Sequence, residues 1–239
     1  MLNLTFDYID NKLKLIFPLF FKILIENTPI KDIQNYNNYL YKRFYKENFL
    51  VKNLLGPIKS IPNIPIELLS KYYARLYSNS GNFHSTLNKD LLSNKKIQHL
   101  PFIKTLYEGV KLNALPLCKN NKLFRGAILN NEEIKKIESC SNKNISQLPS
   151  SIVFSKLFLS FSKEEEVAKI FLKNHSKDNN FSKVIFVLEN DDNSDFNLST
   201  HGDIEKISMF TSEKEVLFFP FSFLELKKLK NNYRKRKRI

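Results

Sequence analysis

Apolar residues recur every three or four positions through the first half of this chain, then alternate or run together through the second. Ile66 to Tyr77 shows the first pattern: Leu69, Tyr72, Tyr73 and Leu76 fall on one side of a helix. Ser78 to Asn82 ends it, and Phe83 to Leu92 and Pro101 to Leu112 follow as two more helices. Pro101 suits a first turn, where its missing N–H is not needed. Residues 1–55 mix Asn, Lys, Tyr, Phe and Ile at helical spacings, and Gly56-Pro57 with Pro62 to Pro65 punctuates the chain after them. Beyond Leu115 the texture changes. Lys122 to Leu129 predicts a strand, and Asn131 to Ser139 a short helix capped by Asn131 with acids in its first turn. Ser151 to Ser162 predicts a strand. Ser162 then caps a helix over Lys163 to Lys173, with Glu165 at capping-box spacing and Val167, Ala168, Phe171 and Leu172 on the apolar face. Lys183 to Leu188 is a strand, and Glu189 to Ser199 a polar loop. Val216 to Phe221 is another strand, with Pro220 confined to an edge or bulge. Phe223 to Leu229 is a final one. Helices first, then strands with short helices between them, predict an α+β fold.

Composition narrows this picture. A chain of 239 residues with 42% hydrophobic and 13% aromatic content can bury a sizeable core. The punctuation divides it into an N-terminal helical segment (1–60) of unassigned role, a main domain (61–229) and a basic tail (230–239). Of the net charge of +14, more than half comes from eight cations within residues 227–239, a stretch without an acid. The tail reads three ways: a nuclear import signal, a contact for nucleic acid or acidic lipid, or a solubilising end. Cys118 and Cys140 form no disulfide framework, and neither they nor the scattered histidines show metal-ligand spacing. Leu13 to Ile25 is apolar but broken by Lys14, Pro18 and Lys22. It is too short to span a bilayer, and Asp7 and Asp10 precede it instead of a basic region. It reads as a buried helix, or a helix pair broken at Pro18, in an intracellular protein of the cytoplasm or nucleus.

The sequence excludes several chemistries. Its five glycines, Gly56, Gly81, Gly109, Gly126 and Gly202, are too far apart for a dinucleotide-binding turn or a P-loop. There is no G-x-S-x-G elbow and no H-E-x-x-H helix. What remains is a scattered set. Gly126 follows Arg125 inside an apolar strand, where a glycine often marks a ligand close to the backbone. Arg125 could grip a carboxylate or phosphate there, or make a surface salt bridge beside a bulge. Ser160 lies near the end of a later strand. Glu213 and Glu215 stand two apart before Val216, on one face if the segment is extended. They form a solvated edge, or they await a cation.

Arg125-Gly126, then Phe158-Leu159-Ser160-Phe161-Ser162, then Glu213-Lys214-Glu215-Val216-Leu217 resemble, in that order, the motifs of the Arg–Ser–Glu class of ADP-ribosyltransferases, the group of the arginine-specific mono-ADP-ribosyltransferases. Leu76 to Asn88, Pro101 to Val110 and Asp203 to Leu226 resemble flanking parts of that family, so the likeness covers residues 66–229. One departure stands out: Phe161 occupies the threonine position of the usual Ser-Thr-Ser. The resemblance implies two packed, mainly antiparallel β-sheets around an NAD cleft behind a helical lobe. It implies a pentosyltransferase that uses NAD as substrate, needs no metal, and moves ADP-ribose to arginine on a target protein, as a monomer with no required nucleic-acid partner. Arg125 would hold the NAD phosphates or ribose, and Gly126 would offer backbone groups to the nicotinamide amide. Ser160 would fix Glu215, Glu215 would stabilise the ribose cation, and Glu213 would orient the guanidinium and take its proton. The alternatives are an NAD glycohydrolase, an inactive NAD- or protein-binding module of the same fold, and a nucleic-acid or membrane-surface binder driven by the tail.

Overall fold

The computed structural model describes residues 4–5, 30–44, 49–58, 61, 64–79, 82–92, 99–113, 122–141, 152–155, 158–173, 180–189, 201–220 and 222–225. The Leu13 to Ile25 run, Cys118, residues 190–200 and the basic tail lie outside them.

Among the described residues, five helices lie between the strand at Leu4–Thr5 and the remaining strands. α1 (Ile30–Phe44) and α2 (Phe49–Ile58) precede α3 (Ile66–Ser78), α4 (Asn82–Leu92) and α5 (Leu100–Leu112). The last three match the periodicity within a residue or two. The Gly56-Pro57 pair does not end α2 early, because Leu55 and Ile58 are both buried and hold the final turn in place. Pro57 is tolerated so close to the helix end. Aromatic rings fill the lobe: Phe102 stacks on Tyr73 at 4.6 Å between centroids and meets Phe83 at 5.5 Å.

The strands follow as β1 (Leu4–Thr5), β2 (Lys122–Asn130), β3 (Ile152–Ser155), β4 (Leu159–Ser162), β5 (Phe181–Glu189), β6 (His201–Asp203), β7 (Glu215–Phe218) and β8 (Phe223–Glu225). Two antiparallel sheets result, one ordered β5-β2-β4-β7-β6 and a smaller one ordered β1-β3-β8. The single strand predicted over Ser151 to Ser162 is two strands that belong to different sheets. Alternation alone cannot distinguish these cases, since both present period-two side chains. The Val216 strand ends at Phe218, and Pro220 lies in the turn beyond it.

Two short helices complete the fold. α6 (Asn131–Ser141) is capped one residue earlier than expected: the Asn130 side chain accepts from the Glu133 N–H, and the Glu133 carboxylate accepts from the Asn130 N–H, each at 2.8 Å. α7 (Glu165–Lys173) starts too late for the predicted Ser162–Glu165 box. Ser162 Oγ accepts from the Glu164 N–H at 2.9 Å instead. Its buried face is also narrower than expected: Ala168 and Leu172 are buried, whereas Phe171 is 55% exposed.

Three buried clusters hold these layers together among the described residues, the smallest being Ala127, Leu129 and Ile137 between β2 and α6. Tyr36, Leu40, Leu55 and Ile58 of α1 and α2 share one cluster with Phe102, Val110 and, from the strand region, Leu217 and Phe219. Leu123, Phe161, Val216 and Phe218 form a second, against which Leu224 of the smaller sheet packs. No helix among the described residues is long and apolar enough to cross a membrane.

Candidate active site

The three sequence motifs sit on adjacent strands, β2, β4 and β7. In the β4–β7 register Ser160 opposes Leu217 and Ser162 opposes Glu215, so Ser160 and Glu215 share one face. That face packs against the helical lobe, because Leu217 belongs to the lobe's core. The other face carries Phe161, which is 3% exposed and meets Phe218 edge-on at 5.2 Å. The departure from Ser-Thr-Ser is therefore a packing change behind the site.

Glu215 is 4% exposed. Burial raises its pKa, while hydrogen bonds from the Ser160 and Ser208 hydroxyls and the charge of Arg125 pull it back down. Ser208 Oγ donates to Glu215 Oε2 at 3.3 Å and accepts from the Phe210 N–H at 3.2 Å. Burial prevails, so the pKa stays above the ordinary glutamate value, while two hydroxyl donors and a nearby guanidinium favour the ionised form of a carboxyl aimed from a strand.

Arg125 donates from Nη1 to the Ser160 carbonyl at 2.6 Å, which ties β2 to β4 where their ladder has only the Phe124–Ser162 pair. Burial lowers its pKa, and Tyr77 and Glu215 raise it. Its buried Nε has no hydrogen-bond partner among the described residues, a costly state that a ligand oxygen would relieve. Gly126 has another use. A Cβ there would lie 2.3 Å from the Ala168 carbonyl oxygen, so what the missing side chain admits is helix α7.

Glu213 is not on an extended segment. Thr211–Glu213 is a 3₁₀ turn, and Lys214 takes a left-handed conformation (φ 45°) before β7 begins. The expected two-residue alternation between the glutamates therefore fails. They are neighbours all the same: burial, followed by repulsion from Glu215, raises Glu213 to a pKa of about 7. The Ser162 hydroxyl donates to the Glu213 carbonyl at 2.7 Å.

Four polar residues at the site were not picked out from the sequence. Ser208 is one. Tyr77, His84 and Asn88 are the others, all within the helix pair Leu76 to Asn88. The Tyr77 hydroxyl donates to the Phe158 carbonyl at 3.2 Å, and burial raises its pKa, with Arg125 and Glu215 also acting on it. His84 Nε2 lies 3.2 Å from that hydroxyl and 2.9 Å from Asn88 Nδ2. Burial and then Arg125 lower His84 to about 4, so it is neutral at pH 7. Asn88 Oδ1 is buried without a partner among the described residues. The available signal was polar side chains on the otherwise apolar side of two helices. The open groove lined by Asn35, Asn38, Tyr39, Lys42 and Arg43 of α1 touches none of these residues. Among the described residues no three His, Cys, Asp or Glu side chains are grouped to hold a metal.

No protein-family model matches the chain, and no curated protein sequence does. Solved structures do match it. The ADP-ribosyltransferase Vis of Vibrio splendidus, in its crystal structure with agmatine, is similar with a TM-score of 0.50 at 18% identity, covering 87% of this chain and 82% of Vis. The ADP-ribosyltransferase HopU1 of Pseudomonas syringae matches with a TM-score of 0.51 at 11% identity, covering 82% of this chain and 89% of HopU1. The type III effector XopAI of Xanthomonas axonopodis gives 0.50 at 14% identity, over 92% of this chain and 91% of its own. Identities this low speak to architecture alone, and as architecture the matches over most of each chain show that this chain has the ADP-ribosyltransferase fold.

Proposed function

We propose that the chain transfers ADP-ribose from NAD to arginine side chains of a target protein. The observation that carries this reading is the surroundings of Glu215: a buried carboxylate, held by Ser160 and Ser208, coupled to Arg125 on a neighbouring strand. Nicotinamide departure takes the bonding pair from C1′ of the ribose and leaves oxocarbenium character there. A carboxylate fixed beforehand stabilises that charge more as it grows, with no reorganisation cost. Arg125 fits the phosphate or ribose oxygens through its unpartnered Nε. A guanidino nitrogen of the acceptor then bonds to C1′, and its proton passes to Glu213. Because a guanidinium holds its proton above pH 12, the acceptor needs such a base. Glu213, raised to about 7, is suited to that task near neutral pH. Vis holds agmatine, a small guanidino compound, which is consistent with an acceptor of this type for the shared fold.

Incubation of the purified chain with NAD, with and without agmatine, tests the reading through released nicotinamide and ADP-ribosyl-agmatine. Glu215→Gln is expected to lower nicotinamide release at least about a hundredfold. Absence of release from the unmodified chain under all acceptor conditions would remove the proposal. A second reading, transfer to water, is favoured by one observation: a Glu213 that is half protonated near neutrality gives a guanidinium less help, so water competes. Release without any agmatine adduct would select it.

A further inference from the structure

Beside the catalytic carboxylates lies a polar clasp whose purpose burial alone does not explain. Lys163, directly after β4, places its Nζ on the Asp203 carboxylate and on Glu205 Oε2, the latter at 3.0 Å. Its backbone N–H donates to the Lys214 carbonyl at 3.2 Å. The residues on either side do similar work. Ser162 Oγ donates to the Glu213 carbonyl, and Glu164 Oε1 accepts from Lys214 Nζ at 2.6 Å. Asp203 Oδ1 accepts from the Glu205 N–H at 2.9 Å, closing the start of the segment on itself. Three consecutive residues thus grip both ends of the stretch 203–214.

The two glutamates have different supports. Glu215 is held by the ladder to β4 and by the Ser160 and Ser208 hydroxyls. Glu213 has no ladder: its N–H and that of Lys214 donate within the turn to the Phe210 and Thr211 carbonyls, and its own carbonyl and that of Lys214 are held from the end of β4. The Lys163 ammonium is about one-third exposed, so its ion pairs add little to overall stability. Their value is geometric, since each fixes the distance between β4 and the segment that carries Glu213.

We propose that Lys163 is a positioning residue that sets how ADP-ribose divides between a guanidino acceptor and water, by bracing the segment that ends in Glu213 while Glu215 keeps its own ladder to β4 and its two serine hydroxyls. This rests on the transferase reading above. Cleavage of the C1′–N bond to nicotinamide depends on Glu215 and is common to both outcomes. Only the new C1′–N bond to guanidine, with its proton going to Glu213, depends on where Glu213 stands. With Glu213 displaced, water forms a C1′–O bond in its place and gives its proton to solvent.

The test uses the full chain with NAD and agmatine, reading total nicotinamide and ADP-ribosyl-agmatine in one reaction. Lys163→Met is expected to keep nicotinamide release within about twofold while the agmatine-to-water ratio falls about tenfold, a size typical of a misplaced catalytic group. Lys163→Arg, which preserves both ion pairs, should restore the ratio. Glu205→Gln, a milder change, should lower the ratio less, and it provides the readout should Lys163→Met unfold. An unchanged ratio in Lys163→Met, or in Glu205→Gln where the former unfolds, overturns the inference. So does an equal fall in both products, which marks a merely structural role. Failure of the unmodified chain to release nicotinamide is a different result: it overturns the transferase reading and this inference with it.

Discussion

At the residue scale, Glu213 pulls activity and stability in opposite directions with pH. In the folded chain its pKa is raised from 4.5 to about 7 by burial and by Glu215. The folded state therefore binds more protons than the unfolded one between these values. The associated stability is fully present below pH 4.5 and is lost as pH rises through 7. In the proposed transfer, acceptor activation needs the ionised form and so grows over the same interval. Transfer to agmatine is expected to climb with a midpoint near pH 7, whereas Glu213→Gln should flatten that profile and remove its share of the stability loss. Rate profiles paired with thermal melts from pH 5 to 8 check both. The sequence did reveal the residue types here. It did not reveal their geometry, because Lys214 carries a left-handed backbone that nothing about a lysine announces. Ser208 was hidden for a similar reason, since its contact with Glu215 exists only once the segment turns back on itself.

At the element scale, Gly126 decides how closely α7 lies on β2. Ala168 O is the nearest atom to an added Cβ, and a backbone carbonyl cannot swing aside as a side chain can. Gly126→Ala is expected to destabilise the chain by about 1–3 kcal/mol or more, read from urea unfolding. Trimming Leu172 as well should not restore the loss, because the closer contact remains. Most elements were legible in the pattern of apolar positions: α3, α4, α5, β2 and β5 match to within two residues. Two of the misreadings have a common cause. For the strand pair within 151–162 and the exposed Phe171 it is what lies opposite each segment, about which periodicity carries no information; the α6 cap is a separate, local case, an exchange between Asn130 and Glu133 three residues apart. Phe161 belongs with the first two: its neighbours Val216 and Phe218 come from a strand more than fifty residues later.

At the scale of the whole molecule, helices α1 and α2 are built into the same core as Leu217 and Phe219. Leu40, fully buried in α1, is therefore expected to matter to the entire fold. Leu40→Ala should lower stability by about 2–5 kcal/mol in one cooperative transition seen by both near- and far-ultraviolet circular dichroism. An early, separate melt of the helices would count against this. Neighbourhood in the sheet was the part that the pattern of residues could not supply, since the order β5-β2-β4-β7-β6 follows no rule of sequence spacing. That order also contains a seam. β2 makes nine pairs with β5 but a single pair with β4, so hydrogen bonding across the middle of the sheet is sparse, and that rung is supplemented by the Arg125–Ser160 hydrogen bond. Side chains also bridge the joint, since Leu123 of β2 is buried in one cluster with Phe161, Val216 and Phe218. In amide exchange the β2 amides bonded to β5 should therefore outlast those on the β4 side, so that the two edges of one strand report different lifetimes.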